Sequence, residues 1–131
     1  MISLTDNFPK KGETPSIPRK GEIWLLKNPE RIKELGKDFR PVLIISSNER
    51  NEYDNSVVVL PLTTDGLDNI LLVEVFIKNT KENGLDKPSK ILCDSPFTWD
   101  KGIRFKEKLG VVSPEIIAEV EKAWRIAFGW E

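Results

Sequence analysis

Two side chains carry most of the chemistry this sequence can offer: the guanidinium of Arg40 and the hydroxyl of Thr63. Arg40 precedes Pro41, whose ring disfavours the α region for its neighbour and holds the arginine backbone extended. From that geometry the Arg40 side chain is expected to reach solvent, and its removal to cost little stability. Thr63 and Thr64 follow Pro61, a residue that cannot donate to a sheet ladder. A cation and a hydroxyl meeting at one surface point suit an anionic ligand, and a guanidinium clamps phosphate oxygens bidentately. An arginine at a strand end is also an ordinary solvated charge, so spacing alone leaves both readings open.

Composition closes most other routes. The 131 residues include no histidine and a single cysteine, Cys93. This removes the commonest general acid–base group, histidine metal ligands, and the Ser-His-Asp and Cys-His hydrolases. Neither a glycine-rich phosphate loop nor a dinucleotide fingerprint is present. No spacing of acidic residues singles out a metal site, so neither metal nor cofactor is expected. One reaction needs neither: attack of an RNA 2′-hydroxyl on the adjacent phosphate, which brings its own nucleophile. Arg40 would meet the charge developing on the phosphorane, with the Thr63 hydroxyl as a neutral donor beside it. Glu34 is the candidate carboxylate for the 2′-hydroxyl proton.

The elements that must position these groups run from Phe39 to Thr64. Val42–Ser46 and Val57–Leu62 read as buried strands, joined by a polar loop carrying Asn48, Arg50, Asn51, Asp54 and Asn55. Paired as a hairpin, they put Arg40 and Thr63 at one end. Earlier in the chain, Gly21 opens a strand over Glu22–Leu26 with Trp24 in the core. Between the two, residues 29–39 form a loop with a short helical turn through Ile32 and Leu35. Beyond Thr64, residues 65–69 are turn chemistry, followed by a strand over Ile70–Ile77 and a polar loop from Asn79 to Lys90. Ile91–Cys93 begins the next strand, and Ile103 to Lys106 alternate as an exposed edge would. Ser113, Pro114 and Glu115 then start a helix with Ile116, Ile117, Val120, Ala123, Trp124 and Ala127 on one stripe and Gly129 as its cap.

Residues 1–19 mix prolines, Gly12 and charges without periodicity and read as an N-terminal arm, leaving residues 20–131 as one domain. With 39% hydrophobic and 31% charged residues the chain is expected to be soluble and globular. No apolar run is long enough to cross a bilayer, and no basic stretch followed by an apolar core marks a secretory signal, so a cytoplasmic location is expected. Twenty basic residues against 21 acidic ones leave a net charge of −1. The charge is unevenly placed: Lys27, Arg31, Lys33, Lys37 and Arg40 make the site's flank basic, while the final helix is acidic.

The sequence resembles the PemK/MazF family of bacterial toxins. The likeness rests on G-E-I-W at 21–24, R-P-V-L-I-I-S at 40–46 and P-L-T-T at 61–64. It continues through G-L-x-K-P-S-x-I-L-x-D at 84–94, T-W-D-K at 98–101 and the terminal helix. The resemblance implies a mostly β SH3-like small barrel, usually a homodimer. It also implies a metal-independent, sequence-specific endoribonuclease of single-stranded RNA, neutralised by a partner antitoxin, with Arg40 and Thr63 at its catalytic positions. Residues expected to line the RNA are Glu34, Lys37, Thr64, Ser95 and Phe97, the last by stacking on a base.

Two departures from the family pattern fall at edges expected to touch nucleotides. Many members carry a Gly-Ser-Glu-Gln-Gly-Gly-like loop before the Arg-Pro, of which only Glu34 and Gly36 remain here. Many also place a Gln and an Arg where this chain has Ser95 and Phe97. Two other classes stay open: a barrel that binds RNA or a protein without cutting, and a CcdB-like topoisomerase poison. RNA cleavage separates both from the ribonuclease.

Overall fold

The computed structural model describes residues 17–27, 39–100 and 105–130. Residues 1–16 of the expected arm, the helical turn through Ile32 and Leu35, and the candidate residues Glu34 and Lys37 lie outside the described residues. Chain order is β1 (Glu22–Lys27), β2 (Phe39–Ile44), α1 (Asn48–Tyr53), β3 (Ser56–Thr63), β4 (Glu74–Ile77), β5 (Ser89–Leu92), β6 (Phe97–Asp100), β7 (Phe105–Val111) and α2 (Pro114–Phe128). The strands form one antiparallel sheet in the order β4-β5-β3-β2-β1-β7, with β6 also paired to β3.

The sheet curls around β3. The first half of this eight-residue strand pairs with β6, from Ser56↔Asp100 to Val59↔Phe97. Its last two residues pair with β5, Leu62↔Ile91 and Thr63↔Lys90. β2 also pairs with it, through Val42↔Pro61, Leu43↔Leu60 and Ile44↔Val59. The result is the expected mostly β fold with a C-terminal helix, its sheet curled into a half-barrel.

Alternation along β1, β2 and β3 feeds two cores, one on each face. Ile23, Leu43, Leu60 and Leu62 join Ile91 and Cys93 beneath Val120 and Ala123 of α2. Trp24, Val42, Ile44, Val57 and Val59 face the other way and pack with Trp99. Trp24 is indeed core, its ring edge-to-face with Phe105 at 5.6 Å. α2 carries the predicted stripe and caps: Ser113 Oγ accepts from the Ile116 N–H, and the Gly129 N–H reaches the Arg125 and Ile126 carbonyls. Where the β4–β5 connection crosses β7, the Val111 N–H donates to the Glu82 carbonyl at 2.9 Å. The backbones touch there, and a Cβ on Gly84 would overlap the Leu109 carbonyl.

Two expectations are corrected. The polar loop between the hairpin strands folds into α1, because Ser47 caps it and the buried Asn51 amide donates to the Ser46 carbonyl at 3.1 Å. The strand expected over Ile70–Ile77 begins only at Glu74. Ile70, Leu71 and Leu72 are exposed in a turn closed by Glu74, whose carboxylate accepts the Leu71 N–H at 2.9 Å. Apolarity suggested a strand there, but a local carboxylate satisfies the backbone first.

Candidate active site

The β2–β3 hairpin brings its two predicted groups to one end. Continued two steps past Val42↔Pro61, its register sets Pro41 opposite Leu62 and then Arg40 opposite Thr63. Pro41 has no N–H to offer, and the Arg40 Nε donates to the Leu62 carbonyl at 2.9 Å. That bond draws the side chain inward: Arg40 is only 9% exposed, against the expectation that it reaches freely into solvent. Burial lowers the guanidinium pKa, and the charge of Asp65 partly offsets this. An arginine keeps its proton at neutral pH regardless. The outcome is a fixed cation in a partly dehydrated setting, where its charge acts over a longer range than in water.

Thr63, half-buried at the end of β3, has an equally defined hydroxyl. Its Oγ1 accepts the Asp65 N–H at 3.1 Å, so the hydroxyl proton is directed away from that bond. Arg40, Pro41, Leu62, Thr63, Thr64 and Ser89 line one notch of about 40 Å³. One water needs about 10–15 Å³ of such space, so the notch holds a few water-sized groups. The notch suits phosphate oxygens rather than a base. Larger concavities, such as the one of about 570 Å³ between Phe76 and Val111, lie elsewhere.

Of the predicted site residues, the structure thus groups Arg40, Thr63 and Thr64. Ser95 is half-buried away from the notch, its hydroxyl donating to Asp94 Oδ1 at 3.2 Å. Phe97 pairs with Val59, four residues before Thr63 and roughly 13 Å along the strand. Its ring packs against the Trp24–Trp99 core, and alternation turns Thr98, not Phe97, to the exposed face. Two contributors escaped the sequence reading. Asp65 looked like turn chemistry, and Ser89 looked like the end of a loop. The hairpin's register, together with the β5 pairing next to Thr63, is the signal that would have found them. Among the described residues no three His, Cys, Asp or Glu side chains converge as metal ligands would.

The chain is similar to known proteins in sequence and in fold. The endoribonuclease MazF of Staphylococcus epidermidis is 35% identical over 112 residues, covering 85% of this chain and 91% of the relative. An endoribonuclease solved with its cognate antitoxin, from a Mycobacterial species, superposes with a TM-score of 0.70 at 24% identity. That match covers 87% of this chain and 97% of the other. A MazE–MazF structure from Deinococcus radiodurans gives 0.68 at 19% identity over 88% and 98%. These structures share the fold. The model of the PemK-like, MazF-like toxins of type II toxin-antitoxin systems matches residues 19–128, and the chain belongs to that family.

Proposed function

We propose that this protein is the toxin of a type II toxin-antitoxin pair and cuts single-stranded RNA without a metal, at chosen sequences. The observation that carries the reading is that Arg40, its guanidinium held by the Leu62 carbonyl, and Thr63 line one small notch. The RNA's 2′-hydroxyl oxygen attacks the adjacent phosphorus, a P–O bond forms, and the bond to the 5′-oxygen breaks. Charge accumulates on the non-bridging oxygens, where Arg40 stabilises it electrostatically and Thr63 donates its hydroxyl proton as a hydrogen bond. The 2′-hydroxyl proton passes to a carboxylate, for which Glu34 is the candidate. The departing 5′-oxygen takes a proton from water, so the products are a 2′,3′-cyclic phosphate and a free 5′-hydroxyl.

The same reading supplies the partners. An acidic antitoxin segment would cover the basic flank that includes Lys37 and block the notch, charge complementarity speeding its arrival. Two copies of the chain would form the working dimer, acting in the cytoplasm where messenger RNA is made. Among the described residues no helix is long and apolar enough to cross a membrane. Ser95, set apart from the notch, would influence which sequence is cut rather than how.

The test is cleavage of a short single-stranded RNA in excess EDTA. The proposal expects full activity and a cyclic-phosphate end. Activity lost with chelator and restored by Mg²⁺ would contradict the mechanism, and an RNA left intact by a growth-arresting protein would favour a binding toxin.

A further inference from the structure

β5 carries a lysine that the sheet buries. Lys90 is 8% exposed, and its Nζ donates to the Gly66 carbonyl at 3.1 Å, the Asn69 carbonyl at 3.4 Å and Glu74 Oε1 at 2.9 Å. Three donors meet three acceptors. Glu74, in turn, holds the Leu71 N–H. One buried ion pair therefore ties down both ends of the connection from β3 to β4. Gly66 sits in that turn at φ +67°, and a Cβ there would come within 3.0 Å of the Lys90 Nζ. The turn is shaped around the ammonium.

This turn lies next to the site. Lys90 pairs through its backbone with Thr63, while its side chain reaches the residue immediately after Asp65. Asp65 contributes both the N–H that fixes the Thr63 hydroxyl and the charge facing Arg40. A buried ion pair adds little net stability compared with apolar residues of the same shape. Stability alone is therefore a weak reason for a lysine at this position.

We propose that Lys90, with Glu74, is a positioning residue for RNA cleavage: it fixes the 65–69 turn so that the Asp65 N–H aims the Thr63 hydroxyl into the Arg40 notch. The inference rests on the ribonuclease reading above. Lys90 makes no contact with RNA in this scheme. It acts through Thr63, and its loss should slow the chemical step without weakening substrate binding.

The experiment is single-turnover cleavage of a short RNA by the full chain, as wild type, Lys90→Met, Thr63→Ala and the double variant. Circular dichroism checks each fold, and RNA binding is measured separately. Lys90→Met should lower the rate about tenfold with affinity within about twofold, since small misplacements of a catalytic group are costly. In the Thr63→Ala background the same change should lower the rate less than about twofold, because the hydroxyl being positioned is gone. Glu74→Gln keeps the side chain's size and oxygen acceptor, and should show the same non-additivity at about threefold, so it decides the matter if Lys90→Met does not fold. A folded Lys90→Met that cuts at the wild-type rate overturns the inference, as do equal losses in both backgrounds. A wild type that cuts no RNA overturns the ribonuclease reading instead.

Discussion

The Arg40 Nε bond to the Leu62 carbonyl changes what a substitution at this residue would do. Read from sequence, an arginine before proline looks extended, solvated and removable. In the fold its removal leaves the Leu62 carbonyl without that donor, at a cost of about 1–3 kcal/mol. The type and place of the residue were legible, but its burial was not, because nothing in R-P-V-L announces that the side chain bends back over its own hairpin. Cys93 went the other way: it lies in the turn just past β5, and the apolar residues before it foretell its burial. It is fully buried and its thiol is pushed up to about 12, by burial first and then by Asp94 and Glu74. The folded state thus holds this proton more tightly than the unfolded chain, where the ordinary value is 9.0. The resulting stabilisation is complete below about pH 9 and lost as pH rises toward 12. The stability advantage of wild type over Cys93→Ala should therefore shrink over that window in urea titrations. A constant difference would show that the thiol does not titrate there.

Among the elements, periodicity and caps were the reliable signals. α2 runs from its Ser113 cap to Gly129 as the sequence indicated, because a helix start, an apolar stripe and a glycine stop all agree. The hairpin strands were legible for a similar reason. α1 and the late start of β4 were not, since each depends on a side chain satisfying a nearby backbone group: Asn51 in one, Glu74 in the other. The crossing of the β4–β5 connection over β7 was also invisible, for Gly84 reads as an ordinary turn residue. Its φ of +70° and its contact with the Leu109 carbonyl make it a closure point of the curled sheet. Gly84→Ala should cost more than the about 1–2 kcal/mol of left-handed strain alone, because backbone must also move. Thermal unfolding of the variant checks this. A melting temperature within a degree of wild type would mean the crossing is loose.

At the scale of the whole molecule, the sheet leaves apolar surface uncovered. Leu72 is 79% exposed and Trp130 65%, with Ile126 and Phe128 also open on α2. Phe128 and Trp130 both pack on Trp124, and a contiguous exposed apolar patch of this kind suits an interface. Light scattering at micromolar concentration should give about twice the chain mass of 15.0 kDa, and a monomer mass would contradict the proposed dimer. The meeting of Arg40 and Thr63 in one notch was largely legible from their strands. The turn that supports it was less so, because Lys90 and Asp65 meet Thr63 only through strand pairing.

The most direct test compares cleavage of a short RNA by wild type, Arg40→Lys and Arg40→Ala, with circular dichroism confirming each fold. Loss of one preorganised donor to a developing oxyanion typically costs about 100- to 1,000-fold in rate, and a charged, buried donor should reach the upper part of that range. Arg40→Lys should recover only part of the rate, since an ammonium keeps the charge but not the planar fork bonded to Leu62. Folded Arg40→Ala cutting RNA at the wild-type rate would contradict the account.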